Sequence, residues 1–170
     1  MKKAIVVFLV AIATFAGKAQ DPNTFILRDG DIIWQKVYQT EMDSISLVGY
    51  LQASGQLKDF TNTPGGLVCS IIPRQMDYRG AGFRYIQVVA VVLDTEMEGT
   101  ALVQFKGGRY RVTVNHIRFV SQIPMFADLT MADFIDRKGI QKVFYSKNTA
   151  AVLDYELNSI FEMRESEDTW

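Results

Sequence analysis

Cysteine and histidine are nearly absent from this sequence: the chain of 170 residues contains one of each, Cys69 and His116. A single thiol excludes an internal disulfide. A zinc site needs several converging His, Cys or carboxylate ligands, and these two residues show no ligand spacing. We therefore expect no metal or other cofactor. Cys69 lies in the stretch GGLVCSIIP, which predicts a small, buried, apolar side chain.

The sequence also lacks the short motifs that mark common catalytic sites. No nucleophile-elbow pattern identifies a Ser-His-Asp triad, and nothing cationic adjoins Cys69 in the sequence to make it a reactive thiolate. The glycine-containing stretches RGAG and KGGR fit no nucleotide-binding fingerprint and are better explained by turns. His116 is expected to be a strand-edge or bulge residue, because its metal and acid-base roles need partners that the sequence does not show.

Long hydrophobic runs are missing except at the start of the chain. Lys2 and Lys3 precede an apolar run from Ala4 to Ala16, and the small residues Gly17 and Ala19 follow it. This layout is typical of a secretory signal peptide, and the run is shorter than the roughly 18 apolar residues that a spanning helix needs. We expect residues 1–19 to be cleaved after Ala19 and no stable membrane span to remain. The protein is then exported, to the periplasm or beyond the cell.

An excess of positive charge is also missing. The whole chain has 18 basic and 19 acidic residues, and removal of residues 1–19 takes away Lys2, Lys3 and Lys18. Nucleic-acid binding depends on excess positive charge that displaces counterions from phosphates. We therefore expect no nucleic-acid partner.

The first half of the mature chain predicts a strand and a short helix. We interpret residues 20–30 as a leader segment, Asp31 to Gln39 as the first strand, and the region after Asp43 as a helix. Asp43 or Ser44 is a suitable N-cap, and Gly55 suits a left-handed C-terminal cap. Ile45, Leu47, Val48 and Leu51 are the apolar residues expected to pack.

Further strands are expected on either side of a glycine-rich loop. The residues after Leu57 predict a short strand, a turn at Thr63 to Gly66 and a strand from Leu67 to Ile72 that ends at Pro73. The loop RQMDYRGAG follows. The next stretch, FRYIQVVAVVLDT, is apolar on both faces at its centre, which predicts a central strand.

The sharpest local prediction is a hairpin turning at Gly107 and Gly108. Two adjacent glycines permit a two-residue turn with positive φ, so Lys106 should pair with Arg109 and Phe105 with Tyr110. In this register valine and aromatic side chains occupy one face. The other face collects Thr100, Leu102, Gln104, Lys106, Arg109, Arg111, Thr113 and Asn115. The alternation slips after Asn115, and this predicts either a bulge near Asn115 to Ile117 or a face that changes there from solvent-exposed to covered.

Two helices are expected towards the end of the chain. Thr130 and Asp133 resemble a capping box for a helix that stops at Gly139. A longer helix, about Thr149 to Arg164, carries Leu153, Leu157, Ile160 and Phe161 on one stripe. It is expected to pack on the sheet with Asp154, Glu156, Asn158 and Glu162 mostly facing away. Residues 31–165 are thus expected to form one domain, followed by a polar tail at 166–170.

Three segments carry a resemblance to a known family: IIWQKVY at the start of the domain, MDYRGAG in the middle loop and FKGGRYRVTVNHIRF in the hairpin. They resemble domain-of-unknown-function family 4468, and the similarity covers roughly Asp31 to Val120. The resemblance implies an exported protein with a TBP-like (TATA-box-binding-protein-like) α+β fold. Its order is β-α-β(4-5)-α, a twisted antiparallel sheet with helices packed on one face. It implies no activity, ligand or catalytic residue, and shared topology does not carry DNA binding with it.

Two groups of residues are candidates for a binding site. Lys106, Arg109 and Arg111 place like charges side by side on the hairpin, which an anionic envelope component or an acidic protein patch would relieve. Charged strands also protect against aggregation. Tyr78, Arg79 and Arg84, with Phe83 and Tyr85, form the second group, for which core and rim packing is the alternative.

Two functional hypotheses follow from these features. The first is a non-catalytic binding module of the cell envelope with no catalytic residue. The alternative is an enzyme or small-molecule carrier with a cavity between sheet and helices, as in helix-grip folds. A pocket that contains His116 or a carboxylate of shifted pKa would favour the alternative. A packed interior with an exposed apolar patch would favour the binding module.

Overall fold

In the described part of the chain, a twisted antiparallel sheet carries two α-helices on one face. The computed structural model describes residues 24–89, 93–123, 127–134 and 147–163. The expected signal peptide, the tail at 166–170 and Gly139 lie outside these residues. The expected α+β class with an antiparallel sheet is confirmed.

The described strands and helices follow one another in a simple order. The strands are β1 (Phe25–Arg28), β2 (Asp31–Gln39), β3 (Leu57–Thr63), β4 (Gly66–Arg74), β5 (Thr95–Phe105), β6 (Arg109–Ser121) and β7 (Leu129–Thr130). The helices are α1 (Ser44–Ala53), between β2 and β3, and α2 (Lys147–Phe161), after β7. The order across the sheet is β1-β2-β6-β5-β4-β3, with β7 beside β6.

The interpretation of residues 20–30 as a leader segment is wrong for its described part. Phe25–Arg28 is the edge strand β1, which pairs with β2 so that Arg28 lies opposite Asp31. Asp29 and Gly30 form the turn, with φ of 52° and 84°. An Asp-Gly dipeptide of this kind favours a two-residue hairpin, because both residues tolerate positive φ. The first strand of the prediction, Asp31–Gln39, is therefore β2.

The hairpin at Gly107 and Gly108 is confirmed. Both glycines have positive φ, 55° and 73°, and Lys106 and Arg109 exchange backbone hydrogen bonds of 2.8 and 3.3 Å. Phe105 lies opposite Tyr110, and the same register continues to Thr100 opposite Asn115.

The bulge predicted after Asn115 is confirmed as well. The pairing of β5 with β6 shifts by one residue between Glu98 and Thr100, and His116 takes a φ of 50°. The extra residue in β6 returns Ile117 and Phe119 to the buried face, where both side chains are inaccessible to solvent. His116 is exposed.

Helix α1 has the predicted caps. Asp43 accepts a 2.7 Å hydrogen bond from the backbone N–H of Ser46, which holds the pKa of its carboxyl below the usual range. Gly55, just beyond the C-cap, has a φ of 66°. Leu47 and Leu51 are buried, but Ile45 is 82% exposed. The expected packing of Ile45 is wrong, because two residues along a helix turn the side chain by about 200°, away from Leu47.

Two strand predictions need correction. Strand β4 does not end at Pro73 but continues to Arg74, and its pairing with β5 shifts between Ile71 and Arg74. A bulge of this kind accommodates proline, which has no N–H for the ladder. Residues 83–89 do not form the expected central strand. Tyr85–Gln87 is a 3-10 helix, stabilised by a hydrogen bond from the Arg84 N–H to the Gln87 side chain.

The two helix predictions in the last third differ in outcome. Asp133 accepts hydrogen bonds from the backbone N–H and hydroxyl of Thr130, as the capping-box pattern suggests. The described residues there form β7 and the 3-10 helix Met131–Phe134. Helix α2 is confirmed, and its four predicted apolar residues are buried. Asp154 and Glu156 were expected to face away from the core, which is wrong: they are 7% and 1% exposed.

Buried partners explain the two acidic side chains of α2. Asp154 accepts a 2.8 Å hydrogen bond from the indole N–H of Trp34. It also accepts one of 2.9 Å from Asn158, and the Asn158 carbonyl accepts from the Tyr38 hydroxyl at 2.7 Å. These hydrogen bonds replace those that the buried polar groups would otherwise make to water. Helix α2 therefore contacts the sheet through polar as well as apolar side chains.

One core cluster joins the sheet to both helices. It contains side chains of β2 to β6, α1 and α2, including Trp34 and Phe161, whose rings stack at 6.2 Å. The opposite face of the sheet carries the polar and charged row of β6, Arg109, Arg111 and Thr113, paired with Gln39, Val37 and Gln35 of β2. We call this second face the open face. Among the described helices, none is both long and apolar enough to cross a membrane.

Candidate functional site

The three cations of the hairpin lie together at one end of the sheet. Lys106, Arg109 and Arg111 are all exposed, and within the described part of the chain none of them forms an ion pair. Arg118, further along β6, differs: it contacts Glu98 at 3.1 Å and Asp128 at 2.9 Å. Positive charge at the hairpin end is therefore left available to a partner.

The Arg111 side chain is held in position by its neighbours. Its Nε and Nη2 donate hydrogen bonds of 3.1 and 2.6 Å to the Gln104 side-chain oxygen. Gln104 in turn donates a 2.9 Å hydrogen bond to the carbonyl of Gly65, in the β3–β4 turn. Among the described residues nothing accepts from the remaining N–H groups of the guanidinium, which can donate to an anion. A cation fixed in this way loses little side-chain entropy when it binds.

The cations border a groove of about 1070 Å³ at the same end of the sheet. We call it the hairpin groove. Since Val37 lies on the open face and Leu47 on the helix side, the groove passes round the end of the sheet. It is lined by Val37, Ser44, Ile45, Leu47, Val48, Gly49, Leu51, Gln52, Asn62, Thr63, Pro64, Gly65, Gly66, Leu67, Val103, Gln104, Phe105, Lys106, Arg109, Tyr110 and Arg111. None of these described lining residues is acidic, although the chain as a whole has more acidic than basic residues.

Exposed apolar side chains accompany the cations. Ile45 is 82% exposed, Val37 53% and Phe105 38%. The floor, in contrast, is closed: Leu51 and Tyr110 are almost fully buried, and the Tyr110 hydroxyl donates a 2.6 Å hydrogen bond to the carbonyl of Phe161. Burial raises the pKa of Tyr110 to about 12. The groove is thus an open surface with an apolar wall and a cationic rim.

The second predicted group lies elsewhere. Tyr78, Arg79 and Arg84 belong to the loop after β4, whereas β4 begins at Gly66 beside the hairpin groove. Because β4 is nine residues long, its two ends lie roughly 26 Å apart. The six predicted binding residues therefore lie in two separate groups of three.

Aromatic contacts order the loop. Tyr78 packs edge-on against Tyr85, with ring centroids 6.2 Å apart, and the Arg79 guanidinium lies 5.6 Å from the Tyr78 ring. The Tyr85 hydroxyl donates to Asp94 at 2.8 Å, which raises the pKa of Tyr85. These contacts favour the packing role for the loop aromatics.

A buried carboxylate fixes the start of the same loop. Glu156 of α2 accepts a 2.8 Å hydrogen bond from the backbone N–H of Asp77, and its other oxygen lies 2.6 Å from Nε of Arg74. Arg74 also donates to Gln56. Asp77 accepts a further 2.8 Å hydrogen bond from the Gly80 N–H. The loop is therefore attached to α2, β4 and the α1–β3 connection at once.

Neither His116 nor Cys69 lines the hairpin groove. Cys69 is 1% exposed on the helix side of β4, as predicted, and burial raises the pKa of its thiol to about 11. Such a thiol is protonated at neutral pH and is a poor nucleophile. Within the described residues, no group of three or more His, Cys, Asp or Glu side chains is placed to hold a metal ion.

The sequence prediction missed the contribution of α1 and of the β3–β4 turn. Ile45 and Val48 form one wall of the groove, and Gly65 holds the Gln104 side chain. The pairing of Gln104 with Arg111 was available from the hairpin register. The approach of α1 was not, because it depends on the path of the chain after β2, where the Thr40 N–H donates to the carbonyl of Gly108 at 2.9 Å.

Two solved structures are similar to this chain in three dimensions. One is a TBP-like protein from Parabacteroides distasonis, with a TM-score of 0.49 and 11% sequence identity, which covers 80% of this chain and 94% of the other. The second is a DUF4468 family protein from Bacteroides ovatus, with a TM-score of 0.46 and 12% identity over 85% of this chain and 94% of the other. No family model and no curated protein matches the chain.

Proposed function

We propose that this protein is an exported, non-catalytic binding module of the cell envelope, and that the hairpin groove receives an anionic partner. The observation that carries the proposal is the charge of the groove. It presents three cations and no acidic side chain among its described lining residues, in a chain that is acidic overall. Like charges on neighbouring positions of a ladder cost free energy, and an anion bound between them removes that cost.

The chemistry of the groove supports binding over catalysis. Among its described lining residues there is no histidine, cysteine or carboxylate, the groups that most often serve as acids, bases or nucleophiles. Its apolar side chains are exposed rather than enclosed around a small cavity.

The interior between α2 and the sheet gives little support to the carrier alternative. Trp34, Leu153, Leu157 and Phe161 fill it and are fully buried. A helix-grip carrier needs an empty, solvent-reachable space at that position.

The proposal is tested by capture from envelope extract with matched charge variants. Mature protein, the double variant Arg109→Glu/Arg111→Glu and the control Arg79→Glu/Arg84→Glu are immobilised at equal density. The two variants change the net charge by the same amount, one in the hairpin and the other in the loop after β4. We expect the control to recover the same partners as the unmodified protein and the hairpin variant to lose them.

Two outcomes contradict the proposal. Equal recovery by all three proteins would show that the hairpin cations do not select the partner. Loss of binding by Arg79→Glu/Arg84→Glu alone would move the site to the loop after β4.

Export has its own test. Expression of the full-length chain in a Gram-negative host, followed by mass spectrometry of the N-terminus, should give a protein in the periplasm or medium that begins at Gln20. Retention in the cytoplasm with residues 1–19 intact would contradict export.

A further inference from the structure

We infer that the partner in the hairpin groove is an extended polypeptide segment with acidic residues at alternate positions. This inference rests on the proposed function and names the class of its partner. Three observations support it: the spacing of the cations, the orientation of Arg111, and the size of the groove.

The spacing of the cations matches an extended peptide. Arg109 and Arg111 are two residues apart on β6 and share the open face, so their Cα atoms are about 6.8 Å apart. Side chains on one side of an extended peptide repeat at the same interval of about 6.8 Å. Two carboxylates at positions i and i+2 therefore reach two arginines at once, and Lys106, directly across from Arg109, is within reach of the first.

The orientation of Arg111 suits a carboxylate. The Gln104 side-chain oxygen accepts from Nε and Nη2 of Arg111. The two terminal nitrogens of the guanidinium carry further N–H groups along the other edge of the same plane. Carboxylates accept two parallel hydrogen bonds from such a planar group.

The size of the groove favours a polymer over a small anion. Its volume of about 1070 Å³ lies just above the range of small-molecule pockets, about 300–1,000 Å³, which also enclose most of the ligand surface. This groove leaves its rim residues Lys106 and Arg109 exposed. An open groove of this size accommodates a segment that enters and leaves at its ends.

Fluorescence anisotropy with defined probes tests the inference on the mature protein. The first probe is a labelled, end-blocked peptide Glu-Val-Glu-Val-Glu, and the second has the same composition in the order Glu-Glu-Glu-Val-Val. Competition by inorganic phosphate and by vesicles of phosphatidylglycerol forms two further arms. The protein is used unmodified and as the variants Arg109→Glu/Arg111→Glu, Arg79→Glu/Arg84→Glu and Gln104→Leu, each checked for an unchanged circular dichroism spectrum.

The inference predicts a specific pattern. The alternating peptide binds about 10-fold more tightly than the block peptide, and binding weakens as salt rises. Arg109→Glu/Arg111→Glu lowers affinity at least 10-fold, because charged hydrogen bonds to two carboxylates are lost. Gln104→Leu, which releases Arg111 and also removes the hydrogen bond to Gly65, lowers it severalfold, and the control pair leaves it unchanged.

The other outcomes separate the inference from the proposed function. Equal affinity of the two peptides would overturn the extended register but not the anionic groove. If vesicles or phosphate bind in a manner that depends on Arg109 and Arg111 while neither peptide binds, the partner of the groove is another anion and not a polypeptide. No response of any probe to charge reversal at the hairpin would overturn both.

Discussion

At the scale of single residues, the polar groups beneath α2 decide how this helix sits on the sheet. The Trp34 indole donates to Asp154, and the Tyr38 hydroxyl donates to Asn158. These four side chains allow one register of helix on sheet, because a shift along α2 leaves buried polar groups without partners. Hydrophobic packing alone tolerates such shifts more readily.

Replacement of Asp154 measures this contribution. Asp154→Ala leaves the buried Trp34 N–H without its acceptor, and we expect a loss of about 2 kcal/mol in the free energy of unfolding. Asp154→Asn keeps an acceptor and should lose less. Glu162→Ala, at an exposed position just after α2, should change stability by less than about 0.5 kcal/mol. Urea unfolding followed by circular dichroism gives all three values, and equal stability of the Asp154→Ala variant and the unmodified protein would refute this account.

At the scale of the structural elements, the hairpin between β5 and β6 depends on backbone conformation at its turn. Gly107 has a φ of 55°, and a Cβ added there would meet no atom within 4 Å. Any penalty for substitution therefore comes from the left-handed conformation and not from crowding.

The turn gives a graded prediction. Gly107→Val should destabilise the protein by about 1–2 kcal/mol, because a β-branched side chain is disfavoured at positive φ. Gly107→Asn should cost less, since asparagine tolerates this region. Thermal or urea unfolding of the two variants measures the difference. Equal stability of the valine and asparagine variants would contradict a turn with positive φ.

The elements also show what local sequence patterns determine. The hairpin register and the bulge at His116 followed from turn chemistry and alternation, which act between near neighbours. The burial of Asp154 and Glu156 did not follow, because their partners Trp34 and Arg74 lie far away in the chain. The same limit applies to the groove: its cations were predictable from the hairpin, but its wall from α1 depends on tertiary packing.

At the scale of the whole molecule, buried groups with raised pKa values set the response to alkaline pH. Burial raises the pKa of Cys69 to about 11 and that of Tyr110 to about 12, and it also raises that of Tyr38. The unfolded chain releases these protons at about pH 8.5–10. At a pH above the unfolded-state pKa of a group and below its raised native pKa, the native state binds more protons than the unfolded state. The free energy of unfolding therefore falls as pH rises through this interval.

The consequence is measurable as a shift of the urea midpoint. Stability should be constant near pH 7 with respect to these groups and should fall by about 1 kcal/mol or more by about pH 10. Cys69→Ala removes one of the protons and should make the decrease shallower. A midpoint that is the same at both pH values would contradict the burial of these side chains.

The hairpin groove is the proposed site for an anionic partner, and backbone amide NMR tests this proposal most directly. The ¹⁵N-labelled mature protein is titrated with the alternating acidic peptide and, separately, with tripolyphosphate. We expect at least one of them to shift amide signals of residues 44–52, 63–66 and 103–111, the segments that line the groove. Shifts confined to residues 77–87, or no shifts with either anion, would contradict it.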